Sequence, residues 1–171
     1  MTTLVLGVLS GVAAYENATP RQHWTEIAWP FPRDGWPAGR AFRCSAAACG
    51  GELEVYIRPK LGFCNCTTGV ADDDEVDRVA DVDLISADFV PISAGEAVRV
   101  AGMAGRIRPY DLKVGDRTSH AAIGIAVSHR CDLLVAAAQG RGDAAAVQRA
   151  ALELLTSAEM ARWAKFAMNA Q

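Results

Sequence analysis

Several signatures that announce catalysis or cofactor binding are missing from this chain of 171 residues. It holds no G-x-S-x-G, no H-E-x-x-H and no phosphate-binding loop, and Gly102 and Gly105 lack the third glycine of a dinucleotide turn. Neither C-x-x-C nor C-x-x-C-H occurs, which removes the common dithiol and covalent-haem motifs. Histidine is limited to His23, His120 and His129. The nine-residue gap between the last two aims them at opposite faces of an uninterrupted strand, so they are not read as a ligand pair. The net charge is −3, with three lysines against fourteen arginines and no basic stripe. No nucleic-acid partner is expected. No catalytic residue is assigned, and no resident cofactor is expected.

What is present begins with Leu4–Ala14, an uncharged apolar run of eleven residues. That is the length of a signal-peptide core and too short for a spanning helix. Val12-Ala13-Ala14 fits a small-x-small cleavage site, although no lysine or arginine precedes the run. Residues 1–14 are therefore read as a signal peptide, with a retained apolar anchor or a buried first element as alternatives. The expected location is periplasmic or secreted, with the cytoplasm as the alternative.

Residues 15–39 form a tryptophan- and proline-rich extended segment. Pro20, Pro30, Pro32 and Pro37 forbid a long helix or a central strand. Trp24, Trp29, Phe31 and Trp36 are interleaved with them. Proline stiffens the backbone, and an aromatic ring offers a large apolar face. Such a segment either straps across its own domain or meets a partner, and these four rings are the candidate partner-binding residues.

Four of the five cysteines fall within Arg40–Gly69. If the chain is exported, disulfides are expected. Cys44 and Cys49 flank a short turn that a bridge could close, and one of Cys64 and Cys66, which share a strand face, could reach Cys131. An odd count leaves one thiol over. The alternatives are zinc held by thiolates, with Cys49-Gly50-Gly51 as a knuckle, or thiol redox or copper chemistry at Cys64 and Cys66.

Residues 40–171 are read as a single α+β domain, an antiparallel β-sheet of five to seven strands with two C-terminal helices packed on one face. Glu52–Arg58 alternates as a half-buried strand with Leu53, Val55 and Ile57 inward, and Pro59 is expected to stop it. Seven acids crowd Ala71–Asp83. The run lacks the glycine and spacing of a calcium loop and is read as a short helix capped by Asp72, with an Asp74–Arg78 pair. Short strands with glycine bends are expected over Ala87–Asp111, and a central hairpin over His120–Ala138 turning at Ser128–Asp132. Asp143 should cap a helix running to Leu155. Thr156 and Glu159 match a capping box for a second helix, Ser157–Asn169.

The resulting functional expectation is an exported, non-catalytic accessory or binding domain, stapled by cysteines. It would dock on a protein partner, a membrane-bound assembly included, through the Trp24–Trp36 segment.

Overall fold

The computed structural model describes residues 23–62, 65–114 and 118–169. Its strands are β1 (Trp24–Ile27), β2 (Arg40–Cys44), β3 (Leu53–Lys60), β4 (Phe89–Pro91), β5 (Glu96–Val100), β6 (Met103–Val114), β7 (Thr118–His129) and β8 (Asp132–Gly140). They form one sheet in the order β1-β2-β3-β8-β7-β6-β4, with β5 beside β4 on the same edge of β6. Every pairing is antiparallel. The helices are α1 (Ala46–Cys49), α2 (Asp73–Val79), α3 (Val82–Ile85), α4 (Ala144–Leu155) and α5 (Ala158–Asn169). Among the described residues no helix is long and apolar enough to cross a membrane.

The expected fold class is observed, with eight strands where five to seven were read. The β7–β8 hairpin closes through Arg130 and Cys131, with Arg130 left-handed at φ 57°. Branched residues supply one sheet face: Val55, Ile57, Ile123, Ile125 and Leu134 pack under Val147, Leu154, Leu155 and Met160 of α4 and α5. Asp143 caps α4 by accepting the Ala146 N–H at 2.7 Å. The capping box is not at Thr156. Its hydroxyl donates back to the Leu152 carbonyl at 2.6 Å and closes α4, while the Ser157 hydroxyl accepts the Met160 N–H and opens α5.

The other face is covered too. Val76 and Val79 of α2 and Val82 of α3 are buried against Tyr110, Leu112, Ala122, Ala126, Val135 and Ala137. Asp72 caps α2 by accepting the Glu75 N–H. Arg78 pairs with Glu75 at 2.7 Å rather than with Asp74, because three residues along the helix is as near as four. Close approach of these helices depends on small sheet residues. A Cβ added at Gly124 would lie 2.9 Å from the Tyr110 ring and 3.0 Å from the Ala80 methyl.

Three local expectations are corrected. β3 passes through Pro59 to Lys60. Since β2 begins opposite Ile57, β3 is beyond that point an edge on one side, where proline is tolerated. Gly105 lies inside β6 and makes no bend; the β5–β6 turn is Ala101-Gly102. Finally, β3 is not half-buried, because Tyr56, Arg58 and Lys60 are as covered as Val55 and Ile57.

Gly124→Ala should lower stability by ~1–3 kcal/mol through overpacking. The expected readout is a lower urea midpoint at unchanged slope. An unchanged midpoint would show that α2 and α3 can move away freely.

Candidate functional site

Three strand residues, Tyr56, Arg58 and Lys60, project from β3 on the α2–α3 face and are met by residues 28–39, which have no regular secondary structure. This strap crosses β3 before the chain enters β2. Trp29 and Phe31 stand edge-on to each other at 5.3 Å, and both rings pack edge-on against Tyr56, at 6.2 Å and 4.7 Å. The Arg58 guanidinium lies 5.6 Å from the Trp29 ring centre, and the Lys60 ammonium 6.0 Å from that of Trp36. Gly39 ends the strap where a Cβ would meet the Ile57 carbonyl at 2.2 Å and the Trp29 ring at 2.6 Å.

The strap is pinned by charge. Arg58, only 2% exposed, donates through Nη1 and Nη2 to both carboxylate oxygens of Asp34 at 2.8 Å and 2.7 Å. Its Nε and Nη2 donate to Asp81 at 2.6 Å and 2.9 Å. Lys60 Nζ donates to Asp81 at 2.6 Å and to the Val79 carbonyl at 2.9 Å. Two cations and two anions thus close a neutral cluster, the form in which buried charge is tolerable. Burial pulls the Arg58 pKa down, but its hydrogen bonds to Asp81 and Asp34 outweigh that and hold the group above its ordinary value. The Arg58 hydrogen bond lowers the Asp34 pKa from 3.8 to about 2, against the opposing effect of desolvation. Asp34 also accepts the Trp36 N–H at 3.2 Å, which sets the turn carrying that ring.

The structure therefore brings Trp29, Phe31 and Trp36 together over one stretch of β3. Each is half-buried, and a groove of about 130 Å³ opens between Trp29, Trp36 and the Asp34–Arg58 pair. Trp24 is elsewhere: it lies on β1 opposite Cys44 and packs, half-buried, against the core on the helix side.

Two disulfides staple the chain. Cys44–Cys49 spans α1 with Cα atoms 6.1 Å apart, and Cys66–Cys131 ties the loop after β3 to the β7–β8 turn with Cα atoms 4.3 Å apart. The Gly62 N–H donates to Asp132 at 2.6 Å in the same corner. Of the two candidates for Cys131, the partner is Cys66; Cys64 lies outside the described residues, as do residues 1–14. Cys44, Cys49, Cys66 and Cys131 are all bridged, so none of these four sulfurs is a free thiolate in this structure. Among the described residues no group of three or more histidine, cysteine or acidic side chains converges on a metal position.

The residues missed by the sequence reading are Asp34, Arg58, Lys60 and Asp81. A signal existed: Arg58 and Lys60 are two apart on a strand, so both had to occupy one face. Their partners come from segments 24 and 23 residues away, which alternation does not reveal.

No family model matches the sequence, and no curated protein does. The solution structure of cyanobacterial PsbP (CyanoP) from Synechocystis sp. PCC 6803 is similar, with a TM-score of 0.50 and 17% identity. The match covers 91% of this chain and 96% of that one. At that identity the likeness is one of fold, an antiparallel sheet with helices mostly at the C-terminal end.

Arg58→Met should cost ~3–5 kcal/mol in chemical denaturation, because it strands two carboxylates around one lysine. A change within the scatter of repeat measurements would remove the cluster as the strap's anchor. Asp34 has a depressed folded pKa, so its contribution is fully present above 3.8 and is lost as pH falls through about 2. The stability gap between wild type and Asp34→Asn should hold from neutral pH to about 5 and close toward about 2. A gap independent of pH would exclude the ion pair. Denatured without reductant, the protein should show one titratable thiol, since the bridges occupy four of the five cysteines. Four or five thiols under those conditions would exclude the bridges.

Proposed function

We propose that this chain is an exported, non-catalytic accessory domain that docks on a protein partner through its strap. The observation that carries the reading is the state of the three rings on the strap. Trp29, Phe31 and Trp36 are fixed by Tyr56, Arg58 and Lys60, yet each keeps part of its surface in solvent. Aromatics held rigid before contact lose little entropy on binding, which is what makes them strong interface anchors. Trp24 belongs to this docking surface only for a partner that also reaches around the β1 edge.

The two disulfides support a compartment that keeps sulfur oxidised, with the periplasm or the exterior as the proposed location. The PsbP-like fold supports a scaffold role with a protein partner, including a membrane-bound assembly. The absence of a basic stripe in the sequence argues against nucleic acid as the partner.

The test is affinity co-purification of the full chain from its own cell envelope, wild type against Trp36→Ala. The variant should lose the co-purifying protein while its circular dichroism and thermal midpoint stay at wild-type values. Retention of the same partner by a folded variant would overturn docking through the strap. If Trp36→Ala fails to fold, Phe31→Ser is the second variant, judged by the same criterion.

A further inference from the structure

A second opening lies beside the strap on the same sheet face, where β3 and β8 reach their ends. The cleft is about 310 Å³, at the lower end of what small-molecule sites occupy. Its floor is a cross-strand row set by register: Arg43 pairs with Glu54, and Glu54 with Gln139. Glu54 has no capacity to spare. Arg43 Nε and Nη2 donate to its Oε1 at 2.9 Å and 2.7 Å, while the Tyr56 hydroxyl and Gln139 Nε2 donate to its Oε2. A carboxylate offers about four acceptor positions, so this one is saturated and its charge is neutralised by Arg43. Burial alone would raise the Glu54 pKa, but these hydrogen bonds outweigh it and keep the group ionised.

With that pair satisfied, two opposite charges remain on the walls. Glu52 and Arg141 flank the last β3–β8 pair, Leu53↔Gly140, one just before β3 and the other just after β8. Both are exposed, and neither forms an ion pair with the other or with any described residue. His120 lines the same cleft, and its side chain makes no hydrogen bond among the described residues. Opposite charges that line one cleft without pairing with each other complement a dipolar ligand better than a simple ion. A simple anion would meet Glu52, and a simple cation would meet Arg141.

We propose that this cleft binds a small zwitterion, a free α-amino acid. Its carboxylate is taken by Arg141 and His120 and its ammonium by Glu52, over the neutral Arg43–Glu54–Gln139 floor. Arg141 suits the carboxylate because its planar fork matches two oxygens at once. The proposal is independent of the strap and of any protein partner.

The test is NMR titration of the full chain at constant ionic strength with L-alanine. The readout is the His120 ring signal, assigned with His120→Gln, with His23 and His129 as internal controls. L-alanine should give a saturable shift confined to His120. Acetate and methylammonium, the two halves of the ligand, should each bind at least about tenfold more weakly, since each forfeits one charged hydrogen-bonding arm. Arg141→Gln and Glu52→Gln should each weaken L-alanine by about tenfold while leaving the thermal midpoint unchanged, because both side chains are exposed and unpaired. Acetate binding equal to L-alanine, unaffected by Glu52→Gln, would replace the zwitterion with a plain anion and overturn the proposal. So would a shift that fails to saturate or that is shared by all three histidines.

Discussion

The guanidinium of Arg58 is the point on which this structure turns. It is buried on a strand, and five N–H bonds in a rigid plane must find acceptors or cost several kcal/mol. Asp34 comes from a loop before the strand and Asp81 from the junction between α2 and α3. One side chain therefore ties together the strap, the sheet and the helical cover of that face. Lys60 completes the charge balance by sharing Asp81. The left-handed conformation of Asp81, at φ 62°, is tolerated because its carboxylate is the meeting point of both cations.

A sheet with two covered faces has to treat those faces differently. The side under α4 and α5 uses branched residues, which fill the space beneath two long helices. The opposite side uses Gly124, Ala122, Ala126 and Ala137, which let short helices approach closely. Its remaining area is taken up by charged and aromatic groups: Arg106 with Asp73, Arg108 and Tyr110 with Asp77, and Arg58 with its two partners. Burial by ion pairs is specific in geometry, so Asp73 and Asp77 fix where α2 sits on β6. The strap and the cleft are joined through Tyr56, whose ring meets Trp29 and Phe31 and whose hydroxyl meets Glu54. This arrangement leaves two adjacent openings on one face, one aromatic and one polar.

The disulfides act at the margins of this frame. Cys44–Cys49 closes one turn of helix beside the buried end of β2, and Cys66–Cys131 fastens the loop after β3 to a hairpin turn. Both constrain loops rather than core strands, and in the chain-entropy account a bridge of this kind contributes ~2–4 kcal/mol by limiting the unfolded chain. The longer loop, closed over a separation of 65 residues, limits it more.

What could be read from residue order alone was whatever neighbouring residues decide. The alternation of Ile123, Ile125 and Val127 located a central hairpin, Asp143 marked the start of a helix, and the spacing of Cys44 and Cys49 allowed a local bridge. Each depends on contacts within a few positions. The same reading put a stop at Pro59 and a cap at Thr156, because it could not know that β2 pairs with β3 only as far as Ile57 or that the preceding helix would claim the hydroxyl. It also put Arg58 on the outward side of a half-buried strand that was expected to stop before Lys60. Alternation shows that two faces differ in character; it does not say what will cover each. Only folding, by carrying Asp34 and Asp81 across more than twenty residues to one guanidinium, made that charged face an interior, since desolvated charge is stable only where its counter-charge arrives with it.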